Sequence, residues 1–232
     1  MFPGNKRKAV TFSYDDGILQ DERFIDILNK YGLKATFNIN YGLLDNKGEW
    51  EHRGVTVKRI DKDKVNDLYK GHEIACHSLS HPSLVDLNDS DLNKELTLDK
   101  EGLEALTNRT MTGMAYPFGT FDDRVIDAMK EVGIKYGRTV EDTKAFDLPK
   151  DFYRWHPTCH HNDQDIYKLI DDFINDESDD LKLLYIWGHT YEFDMDDNWD
   201  HFETIAKKLS HKKDVWYATN EEIFNYMNKR SC

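Results

Sequence analysis

Apolar and polar positions along this chain alternate between a short period and a helical one. "KAVTFSY" (8–14), rich in β-branched and aromatic residues, reads as a first strand. In the following "DERFIDILNKYG", Phe24, Ile27, Leu28 and Tyr31 share one helical face, and Gly32 suits the helix end. "LKATFNIN" predicts a second strand. Residues 41–60 carry the turn signal "DNKG" and then "VTVKRI", an excursion or hairpin. "DKVNDLYKG" is a short helix near Gly71, and "HEIACH" a third strand. A long polar helix region through 87–107 offers Leu92, Leu96, Leu103 and Leu106 along one side. "MTGMAYP" is a fourth strand. "DDRVIDAMKEVG" is a helix with Asp122 and Asp123 at its positive end and Gly133 near its stop. "IKYGRT", "DFYRWHPTC", "KLLYIWGH" and "VWYAT" read as strands five to eight. Between and after them come the helices "DIYKLIDDFINDE", "NWDHFETIAKKLS" and "TNEEIFNYMNK", the last with Thr219 and Glu222 spaced for a capping box.

Eight strand candidates alternating with helices predict an α/β fold with a mostly parallel sheet. The length of 232 residues is near that of a closed (β/α) barrel, though short for one. No repeat or linker divides the chain, so a single domain over 1–232 is expected. With 39% hydrophobic residues, the composition supports a sizeable core. A formal net charge of -13 repels phosphate backbones, so neither nucleic acid nor an anionic membrane is an expected partner. No apolar run approaches ~20 residues, so no transmembrane segment is expected. The N-terminal "MFPGNKRKAVTF" lacks an apolar signal segment, which points to a cytoplasmic location unless a leader has been removed. Cys76, Cys159 and Cys232 make no disulfide framework and suit a reducing compartment. Cys76 reads as a small core filler, and Cys232 as an exposed chain end.

The polar outliers fall at strand ends. Asp15 and Asp16 end strand one in "TFSYDDG", and "HSLSH" (77–81) follows strand three. "YPFG" (116–119) follows strand four, and His189 ends strand seven. In a parallel barrel these ends emerge on one face, where such folds bind substrate. His77 and His81 stand i,i+4, so one helical turn would put both imidazoles on one face. A carboxylate from Asp15 or Asp16 would complete a two-nitrogen, one-oxygen metal set with open positions. Spacing alone does not say which Asp is ligand and which is base. Each of these histidines, taken singly, reads equally as a structural one.

Together "TFSYDDG", "HSLSH", "AYPFG" and "YIWGH" resemble, in order, the motifs of the NodB-homology polysaccharide deacetylases, carbohydrate esterase family 4. The resemblance implies a distorted (β/α) barrel of seven or eight mostly parallel strands. It also implies metal-dependent removal of acetyl groups from an N- or O-acetylated carbohydrate. Asp15 becomes the general base, His189 the general acid, and Asp16, His77 and His81 the ligands of one divalent ion. That ion would be zinc first, with cobalt or nickel as alternatives. Tyr116, Pro117 and Phe118 become groove wall, with the Phe118 N–H as oxyanion donor, and Trp187 lines the acetyl pocket.

The chain departs from the family pattern in two places. The arginine expected two residues before Pro117 is replaced by Ala115, and Arg154 is the candidate to hold Asp15 instead. The fourth motif, which supplies a partner for the acid, is unrecognisable, so Asp194 and Glu192 are candidates to orient His189. Trp155 and Tyr191 are candidate sugar-stacking aromatics, and His156, His160 and His161 candidate groove residues. Three other readings stay open: a hydrolase of nonsugar C–N bonds, a noncatalytic carbohydrate-binding protein of this fold, and a structural barrel with an incidental metal.

Overall fold

The computed structural model describes residues 1–230; Cys232 lies outside them. The chain runs β1 (Lys8–Asp15), α1 (Asp21–Tyr31), β2 (Ala35–Ile39), β3 (Trp50–His52), β4 (Val55–Val57), α2 (Lys62–Leu68) and β5 (Glu73–Cys76). It continues with α3 (Asp89–Thr107), β6 (Gly113–Ala115), α4 (Asp123–Glu131), β7 (Tyr136–Arg138), β8 (Cys159–His160) and α5 (Ile166–Asn175). Then come β9 (Lys182–Gly188), α6 (Glu192–Met195), α7 (Trp199–Leu209), β10 (Val215–Tyr217) and α8 (Asn220–Arg230). No helix among the described residues is long and apolar enough to cross a membrane.

The expected parallel sheet forms in the order β7-β6-β5-β2-β1-β9-β8. On one side β1 pairs first with β10, through Lys8–Val10, and then with β2, through Phe12–Asp15. Residues 155–160 join the sheet's two edges. Trp155 bridges Arg138 of β7 in parallel, and Cys159 and His160 pair with Ile186 and Trp187 of β9. The result is a distorted (β/α) barrel, with β3 and β4 as a separate antiparallel hairpin in the expected excursion. The sixth expected strand is only partly realised. Phe152–Arg154 form a 3-10 turn in which the Asp151 carboxylate accepts the Tyr153 N–H at 2.8 Å. Pro157 then offers no N–H to a ladder, and regular pairing shrinks to Cys159–His160.

The alternation in "AVTFSYD" sorts two environments. Val10, Phe12 and Tyr14 join the larger apolar core, where Tyr14, Phe24 and Phe202 pack with ring centroids 4.0 and 4.2 Å apart. A fully buried ring such as Phe24 contributes ~1.5–3 kcal/mol. Thr11, Ser13 and Asp15 instead meet a hydrogen-bonded polar interior. The Asn38 amide donates to Ser13 Oγ at 2.9 Å and Asp15 Oδ1 at 2.8 Å, and Thr11 Oγ1 donates to Asn220 at 2.9 Å. Helix α8 sets its N-terminus against this interior: Asn220 N donates to Thr36 Oγ1 and Glu221 N to the Glu73 carboxylate, at 2.9 and 2.8 Å. The predicted capping box is present, with Thr219 N donating to Glu222 at 2.9 Å and Glu222 N to Thr219 Oγ1 at 3.2 Å. Gly32 adopts φ 66° and closes α1.

Candidate active site

β1 delivers Asp15 to the rim and then turns sharply, with Asp16 at φ 87° and Gly17 at φ 64°. β5 runs into His77. Residues 77–81 are not the helical turn expected from their spacing: Ser78 and His81 take left-handed φ of 64° and 62°. Tertiary bonds impose that shape. The Asn40 amide donates to the carbonyls of His77 and Ser78, the His81 N–H donates to Ser78 Oγ at 3.1 Å, and Glu95 takes Ser80 N and Oγ. Asp99 of α3 accepts the His77 N–H at 3.0 Å. The two imidazoles end 4.7 Å apart, and one oxygen of Asp16 and one nitrogen of each histidine lie within 4.8 Å of one another. Phe118 also has positive φ, 57°. Four non-glycine residues in strained backbone thus gather at one rim, as functional sites often require.

Asp15 is buried, and Arg138, at the end of β7, donates to both its oxygens. Burial pushes the Asp15 carboxyl up, but the charges of Arg138 first and then His189 outweigh it and hold it at about 2. Asp15 is therefore an oriented, ionised carboxylate. Burial also raises Asp16, and the Arg59 guanidinium, 3.1 Å from Oδ1, brings it below the ordinary range. Burial lowers His77 to about 4, so its 3.9 Å approach to Asp15 involves a neutral ring. His77 Nδ1–H donates to the Ala115 carbonyl at 2.8 Å. Nε2 is left with its lone pair, buried and without a hydrogen bond among the described residues. That is the tautomer a metal ligand needs. His189 faces Asp15 across 3.8 Å through Nε2, while Nδ1 donates to Glu192 at 3.2 Å. Burial lowers its basicity, but Glu192, Asp16 and Asp15 together raise it to about 9, so the ring is protonated at neutral pH.

These groups line an open cleft of about 620 Å³ walled by Tyr116, Phe118, Trp187 and Tyr191. Pro117 is buried beneath that wall. Several expected supports lie elsewhere. Arg154, placed on the 3-10 turn, pairs with Asp151 at 2.6 Å and with Asp123, and it does not reach Asp15. Arg138 takes that place; nothing in "IKYGRT" marked it except an arginine at an inward strand position. Arg154→Ala should therefore leave the Arg138–Asp15 pair intact, and chemical denaturation should show little change, as for other exposed ion pairs. Asp194 accepts from Gln20 and from the Trp199 indole, so Glu192 alone of the two candidates meets His189. Trp155 is 1% exposed, packed against Tyr136 and Tyr185 in the smaller core rather than in the cleft. His156 bonds Thr139 Oγ1 at 2.7 Å outside the cleft wall. His161 is buried against Tyr14 and Phe193, and His160 meets Glu192 from behind. The excursion supplies two cleft residues that the sequence did not single out. Trp50 stands edge-on to Tyr191 at 5.8 Å, and Arg59 stacks on Trp50 at 4.7 Å.

Comparison with known proteins agrees with this arrangement. The chain is 25% identical over 161 residues to a poly-beta-1,6-N-acetyl-D-glucosamine N-deacetylase of Staphylococcus aureus, covering 63% of this chain and 53% of that protein. It spans about a third to a half of the curated relatives it matches first. Its fold matches the Xyl-CE4 domain of a multidomain xylanase from the hindgut metagenome of Trinervitermes trinervoides. There the TM-score is 0.62 at 15% identity, over 96% of this chain and 92% of that one. A mutant of the peptidoglycan deacetylase PdaC from Bacillus subtilis matches with TM-score 0.60 at 21% identity, over 100% and 96% of the two chains. The polysaccharide deacetylase family model matches residues 3–137, more than half of the chain and the part that carries Asp15, Asp16, His77 and His81. The chain belongs to the polysaccharide deacetylase family.

Proposed function

We propose that this protein hydrolyses acetyl groups from an N- or O-acetylated carbohydrate, with one divalent ion held by Asp16, His77 and His81. The observation that carries this reading is an ionised Asp15 and a protonated His189 facing each other beside that trio in one open cleft. A binding protein has no need of a base and an acid poised across the same gap. The orphaned, buried Nε2 of His77 fits a metal, and two imidazoles with one carboxylate suit zinc, and also cobalt or nickel. A divalent ion held there supplies Lewis acidity toward the acyl group and the attacking water.

The chain's own residues do the rest. Asp15, fixed by Arg138 and Asn38, takes a proton from the attacking water. The Phe118 N–H makes no hydrogen bond among the described residues and donates to the acyl oxygen as negative charge develops. Glu192 holds His189 Nδ1–H, leaving Nε2–H to protonate the departing sugar nitrogen or oxygen. Trp187, fixed by its indole N–H on Asp142 at 2.8 Å, shields the acetyl methyl.

The ligand assignment is tested by metal content. The His77→Ala/His81→Ala variant should retain less than about a tenth of the bound zinc, as expected when ligands are lost. Wild-type zinc content by elemental analysis would rule out this trio.

A further inference from the structure

We propose that His160 is a positioning residue for the acid: through Glu192 it fixes the ring of His189. The proposal rests on the reading of His189 as the acid. Glu192 opens α6 three residues after His189. One of its oxygens, Oε1, is 3.2 Å from His189 Nδ1, and the other, Oε2, is 2.9 Å from His160 Nε2.

The protonation state of His160 follows from its other nitrogen. The Asn162 backbone N–H donates to His160 Nδ1 at 3.2 Å. A backbone amide only donates, so Nδ1 carries the lone pair and the ring proton sits on Nε2, facing Glu192. His160 therefore turns its Nε2 proton toward Oε2 at 2.9 Å, where the buried His161 Nε2 also comes within 3.2 Å, and Oε1 is left for the Nδ1–H of His189. The His160 backbone is tied in turn. It lies in β8 opposite Trp187, and its N–H donates to Asp142 Oδ2 at 3.0 Å. Asp142 Oδ1 accepts the Trp187 indole N–H. A short strand that joins the barrel edges thus anchors the far end of a His160–Glu192–His189 chain. This does for the acid what Arg138 does for the base.

His160, His161 and Glu192 also have ligand spacing, with one atom of each within 4.8 Å of the others. The Asn162 N–H argues against an ion there. A histidine bound to a metal through Nε2 carries its proton on Nδ1, which is where that N–H already points.

Two variants separate positioning from packing. His160→Phe keeps a ring without a donor, and His160→Gln places an amide N–H near the former Nε2. His160→Phe should lower kcat about tenfold, what losing one hydrogen bond to a charged group amounts to, with KM within about twofold. His160→Gln should recover kcat to within about threefold of wild type. In ¹⁵N-labelled, zinc-loaded protein without substrate, the downfield Nδ1–H signal of His189 should be sharp in wild type and His160→Gln. It should be exchange-broadened in His160→Phe. This signal reads the coupling even if the acetyl substrate were misassigned. An unchanged His189 signal in a folded His160→Phe variant would overturn the proposal. So would a second equivalent of zinc in the wild type that His160→Phe loses, since the trio would then be holding an ion.

Discussion

Asp15→Asn is expected to reduce kcat by about 10²–10⁴-fold, the usual contribution of a positioned general base. Zinc content and fold should be retained. The amide nearly matches the carboxylate in size and still accepts from Arg138 and Asn38 through its oxygen, but it has no basicity near neutral pH. Asp16, not Asp15, groups with His77 and His81, so the ion should stay. Both oxygens of Asp15 are already committed to Arg138, which leaves this carboxylate poorly placed as a primary ligand. Steady-state kinetics with metal analysis on the same preparation decides the matter. A variant that keeps near-wild-type kcat removes Asp15 from the chemistry, and one that loses its zinc makes Asp15 a ligand.

Arg138→Ala should have the largest combined effect. Arg138 is fully buried and is the cation nearest the buried Asp15, so its removal strands a charge away from water. Breaking such a pair by deleting one partner costs ~3–5 kcal/mol. Chemical denaturation should show a loss of that order. kcat should fall as well, because Asp15 loses its orientation and the balance that keeps it ionised tips toward burial. Arg138→Lys should not rescue kcat, since both contacts come from Nη2 at the tip of a guanidinium that stacks over Trp187 at 4.8 Å, and a lysine is shorter and has no planar head to stack. Adding Asp15→Asn to Arg138→Ala should recover part of the lost stability by removing the stranded charge, a non-additivity measurable in a double-mutant cycle. Full additivity in stability would mean that the two side chains do not act as a pair.

The parts of this site that could be read from the sequence are those whose chemistry is local. "TFSYDDG" shows both the strand alternation and the paired carboxylates, and "YIWGH" shows a strand delivering a histidine. The double glycine-free turn at 77–81 misled because i,i+4 spacing suggests a helix. Bonds from Asn40 and Glu95, far away in the chain, force the left-handed residues that actually bring the rings together. Arg138 lies 123 positions from Asp15, so no local pattern could pair them. Arg154 was the more visible candidate because it sits in a β-rich stretch. The Asp151-capped turn before Pro157 carries it to the surface. Trp50 and Arg59 were hidden in an excursion whose packing against Tyr191 and Asp16 is set wholly by tertiary contacts.

The most direct test is acetate release from N-acetylated chitooligosaccharides, peptidoglycan fragments and acetylated xylan by one preparation, measured as purified, after chelation and after adding back zinc. The account predicts release from at least one of these substrates, its loss on chelation, and its recovery with about one equivalent of zinc per chain. Release that chelation leaves untouched, or no release from any substrate by protein carrying one zinc per chain, would contradict it.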